Sequence, residues 1–551
     1  MIRRRPLMSG RRRTRQRALL ALVVAALCAA TSCSSGGSGT PDDRRSGDTG
    51  YHPGTLRVLA SSELSDMTGV LAQAEKKTGV TVRPTYIGTL DAAELVTSGK
   101  ADGTYDALWL SSDDYLRLHP ETGARLTNET PIMSSPVALG VRQETVTQLG
   151  WQPDQVTWAQ VEQAVAAGKL TYGMTDPVRS NSGFSALISV ASALSGAQSA
   201  LTDADVAKAT RRLKQFFAGQ KLTSGSSGWL ASAYTRGSTV AGGGVNALVN
   251  YESVLLSMNR DSHAGLTVIR PKDGVVTADY PFTLLTSAPR EAREAGQRLT
   301  AYLRSPEAQR ALTEQTFRRP VVPSVRPAAG LGADKRRELP FPGTQSVADG
   351  LLDSYENTLR RPSRTVYVLD TSGSMAGDRL DALKTALAGL TGTDNSPTGD
   401  RFRDREEVTL MPFGSVVKRI TTHTVDPGDP GGSLDAVRSD VKALTSSGDT
   451  AIYGSLEQAY SRLRGGGDTF TSIVLMTDGE NTTGPGAGAF DSFYAGLPAA
   501  LRTTPVFPIV FGDSDRRELA HIAELTGGRL FDATTGEGAL DGAFEEIRGY
   551  Q

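Results

Sequence analysis

Apolar and polar positions fall into two long series of alternating strand-like and helix-like segments, separated by a stretch with neither period. In the first series Leu56 to Ala60 is a short apolar run, and Met67 to Lys76 repeats apolar residues at helical spacing. Val80 to Ile87 is strand-like, Leu90 to Val96 helical, and Asp106 to Leu110 a strand entering Ser111-Ser112-Asp113-Asp114. The pattern resumes near Leu170, passes through Phe184 to Leu194 and includes a helical region from Val206 to Phe217. Pro289 to Leu312 closes it with Ala292, Ala295, Leu299, Tyr302 and Leu303 at helical spacing. Repeated strand-helix units predict mostly parallel sheets covered by helices. A span of about 270 residues predicts two α/β lobes.

Pro320 to Gln345 is rich in Pro, Gly and charge and reads as a connector. Beyond it, Ser346 is placed to cap a helix with Val347, Leu351, Tyr355 and Leu359 on one face, ended by Arg360-Arg361-Pro362. That helix is expected to dock on the domain that follows. The second series begins with Thr365 to Leu369, a strand running into Asp370-Thr371-Ser372-Gly373-Ser374. Leu380, Leu383, Leu387 and Leu390 then share a helical face, and Val408 to Phe413 and Arg419 to Thr424 are strands. A helix at Leu434 to Leu444 leads to the loop Ser446 to Thr450, which opens a helix at Ile452 to Leu463. The buried-type strand Ser472 to Met476 ends in Thr477-Asp478-Gly479-Glu480-Asn481. Pro505 to Phe511 is a last strand, and Arg516 to Leu525 and Leu540 to Ile547 are closing helices. This order predicts a doubly wound parallel sheet.

The amino end follows neither pattern. Arg3 to Arg17 is densely basic, Ala18 to Ala30 is an unbroken apolar run, and Ala30-Thr31-Ser32 brings small residues to Cys33. The three features together read as an export signal. The apolar run is shorter than the roughly 20 residues that a spanning helix needs. The arrangement resembles a bacterial lipoprotein signal, which implies residues 1–33 as signal and a lipidated Cys33 as first mature residue; a plain secretory signal is the other reading. Arg11-Arg12-Arg13 also permits twin-arginine export. Residues 34–54 are Ser, Gly, Pro and Asp rich and form a tether with a root-mean-square reach of about 25 Å. The expected location is the extracellular face of the cell membrane, held by a lipid anchor.

Composition narrows the function. The 551 residues exceed what one core can organise, and a net charge of −1 gives no bias toward nucleic acid. Only two cysteines occur, Cys28 and Cys33, so with Cys33 lipidated neither disulfides nor cysteine catalysis is expected in the mature chain. Five histidines, His52, His119, His263, His423 and His521, lie without ligand spacing. Gly242-Gly243-Gly244 lacks the Lys-Ser/Thr of a phosphate loop and reads as a turn.

The richest chemistry is at Asp370 to Ser374. One carboxylate and two hydroxyls sit on a tight turn at the carboxyl end of a strand, where open α/β sheets bind ligands. Only oxygen donors are offered, which suits a hard cation such as Mg²⁺. The alternative is that Asp and Ser simply cap the next helix.

Two family resemblances complete the expectation. Leu56-Arg57-Val58-Leu59-Ala60-Ser61-Ser62, Tyr105 to Leu110, Asn181 to Leu187, Asn250 to Leu255 and Ser305 to Gln309 resemble, in that order, the extracellular solute-binding proteins of ABC transporters. The likeness implies a periplasmic-binding-protein-like domain at 55–325, with ligand held between two lobes. It directs attention to Ser61, Ser62 and Ser182 at helix starts, as an anion site or as caps, and to Tyr251 and Glu252 in the cleft. Trp229 would either stack on a ligand or pack. After a linker with helix at 326–363, residues 364–551 resemble a von Willebrand factor A (VWA) domain. That family's metal-ion-dependent adhesion site implies Asp370, Ser372 and Ser374 from a first loop, Thr450 from a second and Asp478 from a third. Two loop acids beside them, Asp449 and Glu480, fall outside the motif. The resemblance implies a bound Mg²⁺ or other divalent cation with a position left for a carboxylate of a protein partner. No general base with a matched partner is evident, so a binding protein is expected and not an enzyme. The alternative function is a solute-binding or sensing lipoprotein of an ABC-type transport system.

Overall fold

Each of the three sheets is built around a strand whose side chains are buried on both sides. The computed structural model describes residues 54–236, 245–332, 335–392, 401–463, 469–534 and 539–551. The signal with Cys33, the tether up to Pro53, His52 and Gly242-Gly243-Gly244 lie outside the described residues.

The first lobe has the strand order Thr81–Ile87, Thr55–Ser61, Ala107–Trp109, Pro281–Leu285, Leu126–Pro131. The first three are parallel, but Pro281–Leu285 runs antiparallel to both of its neighbours. The second lobe follows the path Thr277–Ala278, Met133–Arg142, Ala247–Tyr251, Tyr172–Thr175, Gln220–Ser224. Parallel pairing holds only where Tyr172–Thr175 meets its two neighbours. Both sheets are therefore mixed where mostly parallel ones were expected. The reason is topological: the chain crosses between lobes at Ile132 and returns at Tyr280, and each crossing delivers a strand in the reverse direction. Tyr280 makes its turn at φ 44° while fully buried.

The stretch after Pro320 is not a free connector. Arg319–Pro320 pairs with Met133 and Ser134, Glu338 bridges to Val275, and Leu339 is buried. The helix Gln345–Ser354 is capped by Thr344, whose hydroxyl accepts from Val347 N. Its apolar residues Ala348, Leu351 and Leu352, with Tyr355 and Leu359 beyond, join the core of the first domain. Tyr355 packs edge-on against Phe217 at 5.1 Å and its hydroxyl donates to Gln220 Oε1 at 3.1 Å. The expectation that this helix docks on the following domain is thus corrected. Apolar spacing marks a buried face without naming what buries it. Only its polar side reaches forward, with Glu356 accepting from Arg403 Nε at 2.5 Å.

The third sheet has the order Thr421–Thr424, Glu407–Phe413, Ser363–Asp370, Phe470–Thr477, Val506–Val510, Phe531–Asp532. All pairs are parallel except the edge strand Thr421–Thr424. The two central strands explain themselves by alternation. Tyr367, Leu369, Val474 and Met476 enter one hydrophobic cluster, while Val366, Val368, Ile473 and Leu475 enter the cluster on the opposite face. Their carboxyl ends, at Asp370 and Thr477, stand side by side. The described residues of both domains belong to one compact unit.

Candidate functional site

Three loops meet at the carboxyl edge of the third sheet. The first is closed by its own carboxylate: Ser372 N donates to Asp370 Oδ1 at 2.8 Å, and Thr477 Oγ1 donates to Asp370 Oδ2 at 2.6 Å. Thr371 is held down by bonds from its N–H and hydroxyl to Phe413 O. Gly373 N donates to Gly448 O at 2.8 Å and Ser447 N to Thr371 O at 2.8 Å, so the first and second loops are bonded through their backbones. Gly448 makes that approach at φ 85°. Thr450 sits 5% exposed, its N–H on Thr482 Oγ1 and its carbonyl accepting from Thr482 and Thr483, which ties the second loop to the third.

The side chains converge as the backbones do. Ser372 Oγ is 2.9 Å from Ser374 Oγ, and Ser374 Oγ donates to Asp478 Oδ1 at 2.8 Å. Asp370, Ser372 and Asp478 are buried, whereas Ser374 is exposed and marks the solvent side. Burial raises the Asp370 carboxyl above its usual range, opposed by the donors from Thr477 and Ser372 and reinforced by the charge of Asp478. Two acids and several hydroxyls, with no nitrogen or sulfur donor, fit a hard divalent cation. Among the described residues no group of three or more His, Cys, Asp or Glu side chains is clustered for a metal, so any such ion here depends on hydroxyls. Asp449 and Glu480 are exposed loop acids; Asp449 accepts from Ser415 Oγ at 3.3 Å.

Two cations at this edge were not foreseen. Arg379 donates through Nη1 to Asp478 Oδ2 and through Nη2 to Asp513 Oδ2, both at 2.6 Å. It stands in the first turn of the helix Asp378–Gly389, where the helix dipole disfavours a cation. An arginine at that unfavourable place is the sequence signal that could have found it. Lys418 Nζ donates to Thr371 O at 2.9 Å and Thr445 O at 3.0 Å, stitching the first and second loops together. Burial lowers its pKa, against the pull of Asp370.

The solute-binding domain treats its hydroxyls differently. Ser61 Oγ is 3.0 Å from Ser111 Oγ and accepts from Ser111 N at 2.9 Å. Ser182 Oγ lies within 2.7 Å of Thr175 Oγ1, 3.2 Å of Ser180 Oγ and 2.9 Å of Ser227 Oγ. Tyr251 is fully buried and accepts from Asn181 Nδ2 at 2.7 Å. Glu252 is gripped by Arg319 at 2.8 and 2.9 Å, with Arg270 at 3.3 Å. Of the five residues, only Ser61 and Ser62 line the ≈ 390 Å³ cavity between the lobes; Ser182, Tyr251 and Glu252 lie outside its lining. Trp229 packs edge-on against Tyr550 of the third-sheet domain at 4.9 Å.

Comparison with known proteins agrees with this architecture. Residues 56–318 match the family model described as bacterial extracellular solute-binding protein, and residues 365–480 match that of the von Willebrand factor type A domain. The chain therefore carries an extracellular solute-binding domain followed by a VWA domain. No curated protein matches. Among solved structures, the periplasmic binding protein AfuA from Actinobacillus pleuropneumoniae shares 14% identity with a TM-score of 0.44, covering 55% of this chain and 98% of that one. The ferric binding protein from Campylobacter jejuni shares 14% identity, TM-score 0.41, over 54% of this chain and 98% of its own. A von Willebrand factor type A protein from Catenulispora acidiphila shares 20% identity, TM-score 0.28, over 34% of this chain and 42% of its own. The solute-binding match points to an extracellular or periplasmic location. Among the described residues no helix is long and apolar enough to cross a membrane.

Proposed function

We propose that this is a binding protein held at the outer face of the cell membrane through lipidated Cys33, whose VWA domain captures a protein partner through a divalent cation, Mg²⁺ by donor type. The observation that carries the proposal is the convergence of Ser372, Ser374 and Asp478, linked at 2.9 and 2.8 Å, beside the buried carboxylate of Asp370. Asp370, Ser372, Ser374, Thr450 and Asp478 would hold the ion. Bound there, the metal supplies an electrophilic position for a carboxylate of the partner. The chain's own contribution is to hold the donors still. Thr477 and Ser372 N fix both oxygens of Asp370, the Gly448 carbonyl pins the turn, and exposed Ser374 leaves the solvent side open. Arg379 draws charge from Asp478, which leaves a bound cation hungrier for an outside carboxylate. Binding, not catalysis, is the proposed role.

The test is a pull-down from membrane extract with the full-length chain. Partners should be retained in Mg²⁺ and lost both in EDTA and with Asp370→Ala. Recovery of the same partners under all three conditions would sink the proposal. A second reading, delivery or sensing of a solute for an ABC-type transporter, is favoured by the cavity between the lobes.

A further inference from the structure

The chain passes between the lobes at Ile132, Tyr280 and Phe317, and two of these residues have a backbone that side chains rarely adopt. Tyr280 has φ 44° and Phe317 φ 54°, both in the left-handed region. Tyr280 immediately precedes the strand Pro281–Leu285, and Phe317 ends the helix Pro306–Thr316. Positions at the ends of elements are where a chain absorbs rotation between lobes.

What lies on the far side of that hinge is larger than one lobe. Leu201 N donates to Phe341 O at 3.0 Å, Gly343 N returns a bond to Leu201 O at 3.1 Å, and Ser192 Oγ donates to Pro340 O at 2.6 Å. These bonds, with Tyr355 on Phe217 and Gln220, fix the helix Gln345–Ser354 and its approach to the second lobe. The VWA domain is fixed to the same lobe by charge. Asp176 Oδ2, just past the strand Tyr172–Thr175, accepts from Arg360 at 3.4 Å and from Arg403 at 3.3 Å. Arg403 also donates to Glu356 at 2.5 Å, and Arg548 pairs with Glu406 at 2.7 and 2.8 Å. Three carboxylates and three guanidiniums are thus matched, and all six side chains are buried. Removing one partner would leave a buried charge uncompensated, so this junction is costly to open. Beside it the backbones meet: a Cβ on Gly549 would lie 2.8 Å from Gly225 Cα, and Tyr550 packs on Trp229.

Across the gap between the lobes the polar links are more exposed. Arg179 of the second lobe pairs with the half-buried Asp91 of the first at 3.3 Å. Tyr115 of the first lobe packs edge-on against Phe184 of the second at 5.5 Å, and its hydroxyl donates to Asp349 Oδ1 at 2.7 Å. Burial, with the neighbouring Asp349 carboxylate, pushes the Tyr115 hydroxyl up, so it remains the donor. Asp349 is half-buried and stands on the helix Gln345–Ser354, beyond the residues that match the solute-binding family. One bond from that helix therefore reaches back over the hinge to the first lobe.

We propose that the second lobe, the helix Gln345–Ser354 and the VWA domain move as one body against the first lobe. The Tyr115–Asp349 bond is the latch that holds the lobes closed. Opening it swings the edge that carries Asp370, Ser372 and Ser374 relative to the first lobe, so the angle between the lobes sets where that edge points. The six buried charges keep the other junction rigid while this happens.

The experiment is a pair of spin-label distance measurements on the full-length chain carrying Cys28→Ser and Cys33→Ser, which removes both native thiols. Labels enter through Lys76→Cys on the first lobe, Lys214→Cys on the second and Lys442→Cys on the VWA domain, all at exposed positions. Each pair, 76 with 442 and 214 with 442, should give one narrow distribution in the otherwise unaltered chain. With Asp349→Ala the 76–442 pair should gain a second population, its open-to-closed ratio raised about tenfold, the effect of losing one hydrogen bond to a charged group. Tyr115→Phe, which removes the same bond and keeps the ring, should do the same, and the 214–442 pair should stay narrow in both variants. A 76–442 distribution unchanged by both variants would overturn the latch. A 214–442 distribution that broadens with the latch open would overturn the single body. No cation enters the readout, so its outcome is independent of the proposed metal capture.

Discussion

Two clusters of hydroxyls, one in each domain, look alike in the sequence, yet the fold uses them in opposite ways. In the solute-binding domain Ser182 is ringed by Thr175, Ser180 and Ser227 and is 2% exposed. Its bonding capacity is spent within the protein. In the VWA domain Ser372 and Ser374 form a short chain that ends on Asp478, with Ser374 facing solvent and two carboxylates beside it. A hydroxyl cluster becomes a candidate ligand site when charge accompanies it and one side stays open. Without those features it is internal bonding.

The contrast can be broken by experiment. The largest effect expected is on the response to metal. Mg²⁺ at 100 times its dissociation constant should stabilise the VWA domain by about 2.7 kcal/mol, seen as a raised melting transition, and Asp370→Ala should abolish the rise. Ser182→Ala should leave the metal response intact but cost about 1–3 kcal/mol in stability, because its three buried partners lose a bond. A metal response that vanished with Ser182→Ala would erase the distinction between the clusters. Arg379→Gln should tighten Mg²⁺ binding by a few-fold, since it removes a partly exposed positive charge from Asp478. Unchanged or weaker binding would show that the guanidinium positions Asp478 instead of competing for it. Asp449→Asn and Glu480→Gln should alter metal affinity less than about twofold, as exposed loop acids do.

The order of strands and helices was largely legible, because period two and period 3.6 survive in the sequence wherever one face is buried. The two central VWA strands read as continuous apolar runs since each feeds a cluster on both sides. Legibility failed where partners are distant in the chain. The helix after Thr344 showed its buried face, but nothing local revealed that Phe217 and Gln220 lie opposite Tyr355. Tyr251 and Glu252 carried cleft-like chemistry, yet the bonds that engage them come from Asn181, Arg319 and Arg270. The first metal loop could be proposed from its own residues and the other two only from the resemblance to VWA domains, whereas Arg379 on Asp478 and Lys418 between the loops are fixed only by folding. Trp229 was open between ligand and packing, and it packs on Tyr550, more than 300 residues away.

The central claim is that Asp370, Ser372, Ser374, Thr450 and Asp478 form a cation site. Its most direct test is titration calorimetry of the full-length chain with Mg²⁺, alongside Asp370→Ala and Ser182→Ala. The account predicts one site per chain in the parent and in Ser182→Ala, and none in Asp370→Ala. Binding that persists unchanged in Asp370→Ala, or no binding by the parent, would contradict it.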